Sequence, residues 1–114
     1  MPYINTTTTK KITREQQNEL TRELGKAIEI IPGKTEEWLM LNFKDEARMA
    51  FRGNSEKDCA MVEVEILGKA KKDDLGRMTD ALCSLMHRIL GIDTDRVYVK
   101  YEEIETWGYD GINF

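Results

Sequence analysis

The strongest constraint on this chain is a pattern that occurs twice: a short strand, an amphipathic helix, and a second strand. Residues 2–7 read as a strand, with Tyr3 and Ile4 at its start. Thr13, with Gln16 three residues later, forms a capping-box pattern. Leu20, Leu24, Ala27, Ile28 and Ile31 then follow at helical spacing as one apolar stripe. Pro32-Gly33 ends this helix, and the run from Trp38 to Phe43 is apolar on both faces, as expected of a strand covered on both sides. The second unit opens with Cys59 to Leu67, where Ala60, Val62, Val64 and Ile66 alternate with Met61, Glu63, Glu65 and Leu67. Asp73 and Asp74 suit the N-terminal end of a helix dipole, and Leu75, Met78, Leu82, Leu85, Met86 and Ile89 keep helical spacing up to Gly91, a helix stop. Arg96 to Tyr101 is another alternating strand, and residues 107–114 are rich in aromatics and turn formers.

Two strand-helix-strand units of similar length, each with a right-handed crossover, predict an α+β fold: one four-stranded sheet with both helices on one face. A length of 114 residues fits a single domain over 1–114 with one modest core. Two helices on one side leave the other side of the sheet open, although Trp38 to Phe43 is apolar on both. Burial of that open face by another subunit resolves the conflict, without fixing the number of subunits.

Seventeen basic against twenty-one acidic residues give a net charge of −4, which argues against nucleic acid as the main partner and supplies no polybasic membrane signal. No apolar run approaches the ~20 residues needed to span a bilayer. The N-terminus PYINTTTTKK lacks the apolar core of a signal peptide, so a soluble, cytoplasmic protein without membrane insertion is expected. Cys59 and Cys83 fall in separate elements and read as small buried apolar groups. Zinc needs about four N, S or O ligands, and His87, the only histidine, sits in the second helical pattern beside Arg88, where a structural or solvated role is expected. No metal site is predicted.

Three features could carry chemistry. Removal of Met1, which the small following residue favours, would leave Pro2 as a secondary amine, and an apolar pocket would lower its pKa by disfavouring the ammonium form, making it a general base at neutral pH. Alternation along the last long strand puts Tyr98 and Lys100 on one face and Val97, Val99 and Tyr101 on the other. A phenol and an ammonium thus point together, either as site residues or as a solvated strand face. Lys34, between the Pro-Gly helix stop and the next strand, is open to both readings as well.

These pieces occur in a distinctive order: the Met-Pro start, Gly33-Lys34, Met49-Ala50-Phe51, Asn54-Ser55-Glu56, Gly68-Lys69, Asp95-Arg96-Val97-Tyr98, and Trp107-Gly108-Tyr109-Asp110-Gly111 running to Phe114. In that order and spacing the chain resembles the macrophage migration inhibitory factor family of the tautomerase superfamily over nearly its whole length. The resemblance implies a homotrimer around a central channel, with an active site at each subunit boundary. Pro2 would be the catalytic base and Lys34 the ligand of a substrate carboxylate or keto oxygen. Leu67 falls where the family has an isoleucine whose backbone contacts substrate, and Tyr98 matches the tyrosine supplied by the neighbouring subunit. Trp38, Trp107 and Tyr109 fall at wall positions. The implied activity is keto-enol tautomerisation of a small aromatic α-keto acid such as phenylpyruvate, an isomerase reaction that uses no cofactor and no metal.

Some residues depart from the family pattern. Lys100 stands where the animal cytokines commonly have asparagine, which would add a cation to the substrate-binding residues and favour an anionic substrate. Tyr109 replaces a tryptophan and brings a hydroxyl. Cys59 is kept from a C-x-x-C pair of the vertebrate cytokines, but its partner position is Val62, so no dithiol redox activity is expected. The alternative function is that of a cytokine or host-directed signalling protein that binds a receptor protein and is released without a signal peptide. A further alternative keeps the fold but hydrates or decarboxylates small unsaturated acids, with Arg52, Glu63 and Glu65 on suitable segments.

Overall fold

The computed structural model describes residues 1–114. Strand β1 (Pro2–Thr8) leads to helix α1 (Arg14–Ala27), a 3-10 turn (Ile28–Ile30), a second one (Glu36–Trp38) and strand β2 (Met40–Lys44). Strand β3 (Ala60–Leu67) leads to helix α2 (Lys72–Leu90), a 3-10 turn (Thr94–Arg96) and strand β4 (Val97–Ile104). Two short strands, β5 (Gly108–Tyr109) and β6 (Ile112–Asn113), close the chain as a separate hairpin. The four long strands form one sheet in the order β2-β1-β3-β4. Within each unit the strands are parallel, and the units join through the antiparallel β1/β3 pair, so the two expected crossovers are present.

Alternation decides which face meets the helices. In β1 Pro2, Ile4, Thr6 and Thr8 are buried, and in β3 Ala60, Val62, Val64 and Ile66 are. Against them pack Leu20, Leu24 and Ile28 from the first unit and Met78, Leu82 and Met86 from the second, none with measurable exposure. Each such side chain contributes about 1.5–3 kcal/mol of apolar burial.

The helix ends follow their local chemistry. The Thr13 hydroxyl accepts from the Gln16 amide N–H at 3.1 Å while Gln16 Oε1 accepts from the Thr13 N–H at 3.0 Å, completing the capping box. Helix α2 stops where Gly91 takes φ 72°, with its N–H on the His87 carbonyl. A His87 ring nitrogen lies 3.1 Å from the Ile92 carbonyl oxygen, a structural role at the end of α2.

The open face of the sheet carries a cross-strand row of polar residues. Asn42 Nδ2 donates to Asn5 Oδ1 at 2.8 Å, Asn5 Nδ2 donates to Glu63 Oε1 at 3.0 Å, and Lys100 Nζ lies 3.2 Å from Glu63 Oε2. The strand expected from Trp38 is shorter than its apolar run suggests. Pairing with β1 starts at Tyr3↔Met40, because β1 itself starts at Pro2 and offers nothing beyond that point. Trp38 therefore lies in the Glu36–Trp38 turn. Strand β2 is also not covered on both sides within the chain: Leu41 and Phe43 pack on the core, while Met40 is 67% exposed.

Candidate active site

The site is built where the first residues of β1 pass the end of β3. Pro2, buried in β1, has Ile66 as its cross-strand partner, and the Leu67 N–H donates to the Met1 carbonyl at 3.0 Å. Lys34 reaches the same point from the first unit. Pro32 and Gly33 (φ 84°), with the Lys34 N–H on the Ile31 carbonyl, have the arrangement of a type II turn. This turn sends the Lys34 ammonium across to the Leu67 carbonyl, to which it donates at 2.8 Å. The ammonium has no carboxylate partner in the chain. Burial, and after it the Lys34 cation, holds the Met1 amine below the usual range of a chain terminus.

Around this point lies a cleft of about 740 Å³. Met1, Pro2 and Tyr3 form one side, the segment Glu37 to Met40 another, and Trp107, Gly108 and Tyr109 a third, with Glu65 contributing from β3. Tyr109 is held by the β5-β6 hairpin, whose two-residue turn Asp110-Gly111 has positive φ at both positions (52° and 81°), the geometry Asp-Gly favours. Its ring meets Trp38 edge to face, with centroids 5.1 Å apart at 85°. The Trp107 and Phe114 backbones exchange two hydrogen bonds that fasten the segment beyond the hairpin.

Pro2, Trp38, Trp107 and Tyr109 thus line one cleft, and Lys34 and Leu67 are joined at its Met1 end. Tyr98 and Lys100 are elsewhere in the chain. Tyr98 pairs with Met61, five residues along β3 from the partner of Pro2, or ~17 Å at strand rise. Its ring packs edge to face on Phe51 with centroids 4.8 Å apart. Lys100 is held by Glu63 in the polar row. Two more residues line the cleft: Glu37, which the sequence reading did not single out, and Glu65, named there only for the hydration or decarboxylation alternative, which faces the open side with Tyr3 as cross-strand partner. The alternation in β3 carried the signal for Glu65, since it shares a face with Leu67. No group of three or more His, Cys, Asp or Glu side chains converges as a metal site. Cys59 and Cys83 are free thiols, with Cys83 pushed up by burial and then by Asp80. No helix is long and apolar enough to cross a membrane.

Comparison with known proteins adds three findings. The family model described as Macrophage migration inhibitory factor (MIF) matches residues 1–113. Macrophage migration inhibitory factor of Xenopus laevis is 28% identical over 99 residues, covering 85% of this chain and 82% of that protein, and the Rattus norvegicus protein matches to the same extent. Among solved structures, Leishmania major MIF2 aligns with a TM-score of 0.93 at 26% identity, covering 100% of this chain and 97% of that one. The Toxoplasma gondii macrophage migration inhibitory factor aligns at 0.90 with 23% identity, covering 98% and 99%.

Proposed function

The chain belongs to the macrophage migration inhibitory factor family, which has tautomerase and cytokine-like members, and from this we propose that it is a keto-enol tautomerase of phenylpyruvate-like α-keto acids. The observation that carries the reading is the position of Pro2: buried, at an aromatic cleft, beside an ammonium that has no counter-ion. With Met1 removed, the nitrogen of Pro2 becomes a secondary amine. The burial and the Lys34 charge that lower the Met1 amine act on it in the same direction, favouring the neutral base at physiological pH.

The base takes a proton from the carbon beside the keto group. The C–H pair becomes the C=C bond, the C=O π pair moves to oxygen, and the prolinium returns its proton to that oxygen to give the enol. Charge builds on the oxygen during transfer, so fixed donors there lower the barrier. Lys34 is one such donor. Leu67 is the other: loss of Met1 removes the carbonyl that its N–H now serves, freeing that donor for a substrate oxygen. Trp38, Trp107 and Tyr109 hold the ring and exclude water. In the proposed homotrimer Tyr98 and Lys100 reach the cleft of a neighbouring subunit, which accounts for their distance from Pro2 in their own chain.

The test is ultraviolet measurement of phenylpyruvate keto-enol conversion by protein whose intact mass shows Met1 removed, beside Pro2→Gly. Loss of a positioned base predicts a fall in kcat of at least about a hundredfold. Equal turnover by the two proteins would refute the assignment.

A further inference from the structure

Helices α1 and α2 each contain one glycine, and the two differ in their surroundings. Neither has a positive φ, so no turn requires glycine at either place, and glycine weakens a helix relative to alanine. A Cβ built on Gly76 of α2 would meet nothing within 4 Å. Gly25 of α1 is buried, and the same Cβ there would overlap the Glu36 carboxylate and lie 3.1 Å from Glu36 Cβ and 3.3 Å from its Cδ. Ordinary contact begins near 3.4 Å.

The space that Gly25 leaves is thus filled by the Glu36–Trp38 turn. This turn is short and has no side-chain cap at its start. Two backbone bonds close it: the Trp38 N–H donates to the Thr35 carbonyl at 3.3 Å and the Leu39 N–H to the Glu36 carbonyl at 3.1 Å. It carries Trp38 to the cleft, where the indole meets Tyr109 edge to face. Gly25 and Glu36 belong to one chain, and α1 is on the covered side of the sheet, so their contact does not depend on what lies over the open face.

We infer that Gly25 is a positioning residue for the aromatic wall: by leaving room for Glu36 it sets where Trp38 stands, and through Trp38 how tightly the cleft holds an aryl ring. That Trp38 holds substrate rests on the tautomerase reading; its placement by Gly25 does not. In Gly25→Ala the exposed carboxylate can swing aside, but Glu36 Cβ is fixed to the backbone. The turn itself has to retreat by a few tenths of an ångström, and Trp38 moves with it. Pro2, on β1, keeps its place, and the Lys34 ammonium stays tied to the Leu67 carbonyl. Binding of the ring weakens while the reacting atoms are undisturbed, so KM rises and kcat holds.

The experiment uses Met1-free protein. Trp38 fluorescence is read in a Trp107→Phe background, where it is the one remaining tryptophan, and phenylpyruvate kinetics are read with Trp107 in place. Gly25→Ala should shift the Trp38 emission and raise KM about fivefold with kcat within about twofold, the scale of one lost apolar wall contact. Gly76→Ala should change neither. Glu36→Gly removes the obstructing side chain; adding Gly25→Ala to it should change emission and KM no further and should raise the denaturation midpoint. Unmoved emission or KM in folded Gly25→Ala overturns the inference, as does the same change with and without the Glu36 side chain. Loss of folding in Gly25→Ala that Glu36→Gly does not repair overturns it too. Calorimetric binding of 3-phenylpropanoate, which has no keto group, repeats the affinity comparison without turnover. If no protein turns over phenylpyruvate, yet Gly25→Ala weakens this binding and shifts Trp38 only when the Glu36 side chain is present, the positioning role is supported and the tautomerase reading is removed.

Discussion

Replacing Arg96 with methionine should destabilise the fold far beyond what one exposed arginine would cost. Arg96 is 7% exposed and has no carboxylate partner. Its guanidinium instead serves four carbonyls of one loop: Nε donates to Asp58 at 3.0 Å, Nη1 to Phe51 at 3.2 Å, and Nη2 to Asn54 at 3.0 Å and Lys57 at 3.1 Å. It also lies 5.3 Å from the centroid of the Phe51 ring. A hydrogen bond to a charged group nets ~1.5–3 kcal/mol, but these bonds share one donor group, and the carbonyls of so exposed a loop recover water when it is lost. The expected cost is therefore ~3 kcal/mol. In a chain of this size that lowers the melting temperature by roughly 10 °C. Arg96→Lys should recover less than half, because a point-like ammonium cannot span a planar fork of acceptors. Denaturant unfolding at fixed protein concentration measures both. Since Phe51 packs against Tyr98, a loosened loop should also raise KM, given the role proposed for Tyr98 in holding substrate. A loss below ~1 kcal/mol in Arg96→Met, or full stability in Arg96→Lys, would refute the clamp.

Three other outcomes are expected. Lys34→Met removes a cation that lowers the terminal amine, so the rising limb of the pH-activity profile should move to higher pH while kcat falls; an unmoved limb would show that Lys34 does not act on the base. Thr6 is fully buried with its hydroxyl unpaired, and Thr6→Val, close in shape, should raise the unfolding free energy by ~1 kcal/mol in urea titrations. Burial raises the pKa of the Tyr101 phenol, whose OH donates to the Leu75 carbonyl at 3.0 Å and lies 2.7 Å from the Thr79 hydroxyl. The folded state thus holds that proton more tightly than the unfolded one. The resulting stability is full below the unfolded pKa near ~10 and lost as pH rises through the folded value; Tyr101→Phe should flatten that alkaline decline and cost ~1 kcal/mol at neutral pH.

The fold was readable from periodicity because burial imposes it. Every inward position of β3 and every stripe residue named on α1 is buried, since a period of two or 3.6 leaves no other way to shield those side chains. The end of the β2 run was not readable. An apolar Trp38 continues the pattern, but a strand exists only where a neighbour offers hydrogen bonds, and that limit is set by where β1 begins. At the site, Pro2, Trp38, Trp107 and Tyr109 came together through contacts between distant segments, which local pattern alone could not supply and family resemblance did. Glu65 was visible as one of two outward glutamates on β3.

The polar row Asn42-Asn5-Glu63-Lys100 also bears on how faithfully the chain folds. Its members contribute one residue per strand and are joined across sequence separations of 37 and 58 residues. Contacts so distant form late and slowly, after many mispaired encounters. A strand docked one residue out of step would turn its member of the row toward the helices, placing an amide or a charge among Leu20, Val62 and Met86. A strand two residues out of step would keep its face but leave Glu63 without Asn5 or Lys100. Both errors carry a penalty that the native alignment avoids, so the row acts as a check on strand assembly as well as a set of bonds in the finished sheet.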